Sequence, residues 1–266
     1  AATTTTAAST TMTGRYANAD IIISSINSTP TYHEGTDYDR IIFGNPEYSI
    51  PFVRNSILLI PCLLSPTECA ALVQDCETEH RKQFPNVDDS IPKDEGMERY
   101  MLCELSQQTQ DFFENIILRE RLLPFIKQKF PPIIEQHIWE VSMIPNEDNN
   151  LDLLSQTFKF SSQEPAINRY ATAGYFEPHR DKLALTLNIL LSDQFEGGGT
   201  QFWEEMSNGK GRDDEYVNPS LCVLPSVGTG VIFNGTVKHA GRKVLNGRRH
   251  LLVASFSVAR SKTTTW

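Results

Sequence analysis

Hydrophobic positions in this chain recur first with a helical period and later with a period of two. Ser65-Pro66-Thr67-Glu68 has the form of a capping box with proline at the first helical position. Cys69, Leu72, Val73 and Cys76 follow at helical spacing, which predicts a helix from residue 66 to about residue 80. Residues 84–98 are rich in Pro, Asp and Lys and predict a loop long enough to act as a substrate lid. Residues 105–130 turn helical again around Phe112, Phe113, Ile116, Ile117 and Leu122; Pro124 predicts a kink and Pro131-Pro132 an end. From residue 136 the period falls to two. Residues 137–144 alternate, and further strands are expected over 167–172, 183–191, 221–224, 230–233 and 250–258. Gly197-Gly198-Gly199 suits a tight turn, and 204–218 reads as an exposed polar insertion. Short strands with glycine-rich turns predict a sandwich or barrel.

Composition narrows this picture. A chain of 266 residues, 39% hydrophobic, suffices for one large domain or a domain with a helical annex. No apolar run approaches the ~18 residues of a membrane helix, so no membrane partner is expected. The net charge of −9 argues against general phosphate-backbone binding, and no nucleic acid is expected as a partner. Five cysteines with no C-x-x-C pair fit reduced thiols in an intracellular, cytoplasmic setting. Residues 1–13 form an Ala/Thr/Ser tract without a signal-like apolar core, read as part of a partly disordered arm over residues 1–50. A trimmed organelle-targeting peptide is the alternative.

The chemistry concentrates late in the chain. His179 and Asp181 are two apart, and on a regular strand they would face the same side. His239 follows 60 residues after His179. Two imidazoles and one carboxylate can hold Fe(II) on one face and leave the other face open. Arg248 and Arg249 suit a two-pronged clamp on a carboxylate. The same His179-Arg180-Asp181 spells a protein-kinase triplet, but the Gly-rich loop, strand lysine and Asp-Phe-Gly of a kinase are missing. His33, His80, His137 and His250 read as surface or satisfied core residues.

Several motifs occur in order: Asn168-Arg169-Tyr170, Phe176-Glu177-Pro178-His179-Arg180-Asp181, Thr186-Leu187-Asn188, and Phe195-Glu196-Gly197-Gly198-Gly199-Thr200-Gln201-Phe202. Pro225 to Gly230, His239-Ala240-Gly241, Gly247-Arg248-Arg249 and Val253-Ala254-Ser255-Phe256 continue the series. Together they resemble the catalytic domain of 2-oxoglutarate/Fe(II) oxygenases, in the prolyl and lysyl hydroxylase branch, over roughly residues 165–260. The resemblance implies that His179, Asp181 and His239 are the iron ligands and catalytic centre. It implies that Arg249 pairs with the far carboxylate of 2-oxoglutarate, with Arg248 as its rival. Tyr170 would hydrogen-bond the same co-substrate, and Asn188 would line the pocket. O₂ is the second co-substrate and ascorbate a candidate reductant. Two departures bear on substrate identity: Lys243 replaces a common proline, and Phe176 stands where tyrosine is frequent.

The implied fold is mainly β with helical support, a double-stranded β-helix (jelly roll) with N-terminal helices packed on one sheet. Residues 51–266 form the oxygenase domain, with helical support and lid over 51–160 and the catalytic core over 161–260. The implied activity is oxidation of an unactivated C–H bond in an amino-acid-type substrate, either peptidyl Pro or Lys or a free amino-acid derivative. Oxidative cyclisation or desaturation of a small carboxylated metabolite is the alternative at the same iron site. A degenerate fold that only binds is the alternative from another class, and the intact ligand set argues against it. Arg180, Lys182, Arg242, Lys243 and Arg248 near the expected mouth suggest an anionic substrate.

Overall fold

A computed structural model describes residues 12–13, 20–22, 31–32, 40–42, 56–85, 96–124, 157–181, 183–203, 219 and 221–259. The expected strand over 137–144 and the insertion over 204–218 lie outside these residues. In chain order the elements are β1 (Met12–Thr13), β2 (Asp20–Ile22), β3 (Thr31–Tyr32), β4 (Arg40–Ile42), β5 (Ser56–Ile60), α1 (Pro66–Gln83) and β6 (Met97–Met101). A short 3-10 turn and α2 (Gln107–Asp111) follow, continuing as a wider π-helical stretch over Phe112–Leu122. Then come β7 (Thr157–Phe160), β8 (Ala166–Tyr170), β9 (Phe176–His179), β10 (Leu185–Leu190), β11 (Phe195–Gly197) and β12 (Thr200–Phe202). The chain ends in β13 (Leu221–Val223), β14 (Gly230–Asn234), β15 (His239–Gly241), β16 (Val244–Gly247) and β17 (Arg249–Ala259).

Two sheets dominate. One runs β4-β5-β14-β10-β17-β8-β6, with β7 also on β17; the other runs β1-β2-β3-β13-β12-β15-β9. All their pairings are antiparallel except β3 with β13. Ile57, Leu59, Val231 and Phe233 of the first sheet share a buried cluster with Phe202, Leu221 and Val223 of the second, so the sheets pack face to face. This is the expected jelly-roll core.

The helices cover the outer face of the larger sheet. In α1, Ser65 caps the first turn and Glu68 closes the capping box. Cys69, Leu72, Cys76 and His80 then fall on one stripe, all buried. They meet Phe113, Ile117 and Leu122 of the π-helical stretch and the outward residues Leu187, Leu252 and Phe256 of β10 and β17. Burial of that stripe, rather than propensity, holds the helix.

Three expectations need correction. The predicted loop over 84–98 is a strand from Met97 onward, because β6 pairs with β8 from Met97↔Tyr170 to Met101↔Ala166. The second predicted helix starts at Gln107 rather than 105, behind a 3-10 turn at Leu102–Glu104. Its apolar anchors sit in a π-helical rather than an α-helical stretch. Its continuation past residue 124 lies outside the described residues.

Candidate metal centre

His179 ends β9 and His239 opens β15, and these two residues are paired directly across the strands. Register therefore brings together imidazoles far apart in sequence, with ring centroids 4.3 Å apart. Asp181 lies just past the end of β9. Its Oδ1 is 3.6 Å from His179 Nε2, and its Oδ2 is 3.5 Å from His239 Nε2. One ligand atom from each of the three lies within 4.8 Å of the others.

The remaining ring nitrogens are committed. His179 Nδ1 donates to the Glu177 carbonyl at 2.8 Å, and His239 Nδ1 donates to the Val237 carbonyl at 3.0 Å. A carbonyl can only accept, so both protons sit on Nδ1 and both Nε2 lone pairs face the group. Such outer bonds orient metal-ligating histidines. Asp181 Oδ2 in turn accepts a hydrogen bond from the Thr186 hydroxyl. Burial, and next the nearby His179, pushes His239 down to about pKa 4. It is therefore neutral at pH 7, the form that binds metal. These donors fit a divalent transition metal such as iron.

The cleft beside this group is lined by Asn168, Tyr170, Thr186, Asn188 and Thr200, and also by Arg99 and Glu164. The space in it for water-sized solvent is about 30 Å³. Arg249 lies one side chain behind the lining. Its Nη2 donates to Thr200 Oγ1 at 3.4 Å, and its guanidinium stacks 5.4 Å from the Tyr170 ring centre. The side chain is fully buried, and its Nε and Nη1 find no hydrogen-bond partner among the described residues. Burial lowers its pKa, since a desolvated cation is destabilised. Tyr170 is buried too and accepts from Asn168 Nδ2 at 3.3 Å. Burial raises the pKa of Glu164, against the opposing hydrogen bond from the Ser255 backbone.

Arg248 points elsewhere: its Nη1 lies 3.9 Å from Glu77 of α1. Of the basic residues expected at the mouth, Arg248 therefore faces the helix side, and Arg180 is hydrogen-bonded to the Thr236 carbonyl. His250 also faces α1, with Nε2 at 2.7 Å from Glu77. His80 is a satisfied core residue, with Nδ1 at 2.7 Å from the Tyr100 hydroxyl.

Sequence reasoning assigned no role to Thr200, Thr186, Arg99 or Glu164. Thr200 follows the glycine triplet and Thr186 precedes Asn188, so both stood inside recognised motifs. Arg99 and Glu164 carried no local signal.

No protein-family model and no curated protein matches the chain. Solved structures are similar in fold. A Pseudomonas putida prolyl-4-hydroxylase shares 14% identity, with 77% of this chain and 93% of that one covered and a TM-score of 0.47. A viral collagen prolyl hydroxylase from Paramecium bursaria Chlorella virus-1 shares 16%, covering 77% and 96%, at 0.43. A 2OG-Fe(II) oxygenase-family oxidoreductase from Burkholderia pseudomallei shares 15%, covering 76% and 84%, at 0.45. Scores this low leave the chemistry to be read from the side chains. In motif order and in its His-Asp-His group, this chain resembles the 2-oxoglutarate/Fe(II) oxygenases, with the prolyl-hydroxylase branch among them.

Proposed function

We propose that this protein is an Fe(II)/2-oxoglutarate-dependent oxygenase acting on an unactivated C–H bond of an amino-acid-type substrate. The observation that carries this reading is Arg249. A guanidinium with no exposed surface and two nitrogens unpartnered among the described residues stands behind Thr200 and Tyr170, which line the cleft at the His-Asp-His group. A buried cation without an anion is strongly unfavourable. A carboxylate arriving from solution would complete it.

When bound, Fe(II) with 2-oxoglutarate and O₂ supplies the oxidising power, with succinate and CO₂ as co-products. His179, Asp181 and His239 would hold the metal through Nε2, a carboxylate oxygen and Nε2. Arg249 would grip the far carboxylate of the diacid, with hydroxyls of Thr200 and Tyr170 adding hydrogen bonds. Asn188 would line the same wall. Arg248 is the weaker clamp, because it faces Glu77 on the helix side. The apolar residues Phe176, Leu251 and Val253 beside the ligands keep water from the reacting centre.

The test is anaerobic titration of metal-free protein with Fe(II) and then 2-oxoglutarate, following the visible metal-to-ligand charge-transfer band. The band should form, vanish in His179→Ala, and need about 10- to 100-fold more 2-oxoglutarate in Arg249→Gln. Arg248→Gln should leave the titration nearly unchanged, since a half-exposed ion pair contributes little. Iron-loaded protein that shows no band with 2-oxoglutarate would refute the proposal.

A further inference from the structure

Two charged groups line the cleft without a part in holding iron or 2-oxoglutarate. Arg99 comes from β6, and Glu164 precedes β8. Arg99 Nε donates to Asn168 Oδ1 at 2.9 Å, while its Nη1 stays 3.7 Å from Glu164 Oε1, too far for a hydrogen bond. Glu164 Oε2 accepts from the Ser255 backbone N–H, which leaves Oε1 with only that loose contact among the described residues. Both side chains are mostly buried, at 22% and 10% exposure. The pair also stands close to the reacting centre. Arg99 lies 5.6 Å over the Phe176 ring, which packs edge-on against the ligand His179 at 4.6 Å.

We infer that this cleft takes a free α-amino acid as a zwitterion, with Arg99 receiving its carboxylate and Glu164 its ammonium. The inference rests on the oxygenase reading above. A zwitterion carries both complementary charges on one carbon and exchanges one long contact for two short charge-assisted ones. A residue within a peptide carries neither charge. A second dicarboxylate would meet repulsion from Glu164, and a diamine would meet repulsion from Arg99, so the opposed pair selects by charge.

Protein loaded anaerobically with Fe(II) and 2-oxoglutarate is titrated with free L-amino acids, their N-acetyl and methyl-ester forms, and peptides blocked at both ends. Binding is read from the shift of the charge-transfer band and from calorimetry. At least one free amino acid should shift the band, and blocking either end should weaken its binding about tenfold or more. Glu164→Gln keeps an acceptor for the Ser255 N–H and should abolish the preference for free over N-acetylated ligand. Arg99→Gln should abolish the preference for free acid over ester. If either variant fails to fold, the blocked and free ligands on the unmodified protein still decide. Blocked peptides binding as tightly as free amino acids, or no shift with any of these ligands, overturns the inference and leaves the oxygenase reading standing. Failure of the band itself to form overturns both.

Discussion

Each histidine of the metal group is turned by a carbonyl two residues upstream, Glu177 for His179 and Val237 for His239. Asp181 is steadied by Thr186, five residues on. The three residues of this candidate metal group were singled out in sequence because their identities and spacing are chemically restrictive. Thr186 was not, because a threonine on a strand is ordinary until the bend after β9 brings Asp181 against it. Thr186→Val keeps the shape and removes the donor. It should weaken Fe(II) binding about 10- to 100-fold, measured by competition with a chromophoric chelator. Unchanged affinity would mean that Asp181 is oriented by something else. At Arg249 the family resemblance supplied the candidate role. Its isolation from any carboxylate among the described residues was not.

At the scale of the element, strand alternation sorts the residues that β8 and β17 bring to the site. On β17, Arg249, Leu251 and Val253 turn inward, while His250, Leu252 and Ala254 turn to the helices. On β8, Asn168 and Tyr170 turn inward and Arg169 outward to Glu77 and Glu98. That alternation separates Arg249 from Arg248, which adjacent positions in sequence left open. The glycine triplet shows the other kind of local control. Gly198 has φ +67°, and a Cβ there would lie 2.8 Å from the Phe195 ring and 3.1 Å from Arg249 Cδ. Gly198→Ala should therefore destabilise the fold by about 1–3 kcal/mol and also weaken 2-oxoglutarate binding, because Arg249 must shift. Urea denaturation and the charge-transfer titration measure the two effects. A stability loss with unaltered 2-oxoglutarate affinity would show that Arg249 does not feel this turn.

Across the whole molecule, a buried ionic layer joins α1 to the larger sheet. Arg169 is 1% exposed, and its guanidinium lies 2.8 Å from Glu77 and 2.7 Å from Glu98. Burial alone would raise the pKa of Glu77, but hydrogen bonds from His250 and Arg169 outweigh it and hold the carboxyl at about 2. Glu68, bonded chiefly by Arg121, is also held at about 2. Both bind a proton less readily folded than unfolded. Their stabilisation is complete above the ordinary value of 4.5 and is lost as pH falls towards 2. His239, with its pKa lowered to about 4 from 6.5, adds a loss of the same sign in that higher window. Stability of the metal-free protein should therefore fall steadily as pH drops from about 6.5 to 2, as followed by urea midpoints. Glu77→Gln should flatten the lower part of that curve; an unchanged slope would exclude Glu77 as a contributor. Among the described residues, no helix is long and apolar enough to cross a membrane.

Local chemistry was determined by sequence alone. Ser65, Pro66 and Glu68 start a helix wherever they stand before an apolar stripe, because the bonds they make are confined to one turn. Likewise a His-x-Asp with a distal histidine and arginine restricts the metals and ligands that can bind, because ligand type and count are properties of side chains. The tertiary structure alone decided what depends on partners remote in the chain. Met97 and Glu98 looked like the end of a loop until β8 offered Met97–Met101 a ladder. Arg99 and Glu164 became a matched pair only when β6 and β8 came together. Arg249 became a fully buried cation only when β12, β17 and β8 closed around it. Hydrogen-bond partners across sheets and the removal of water are long-range events, and neither leaves a period or a motif in the residues it acts on.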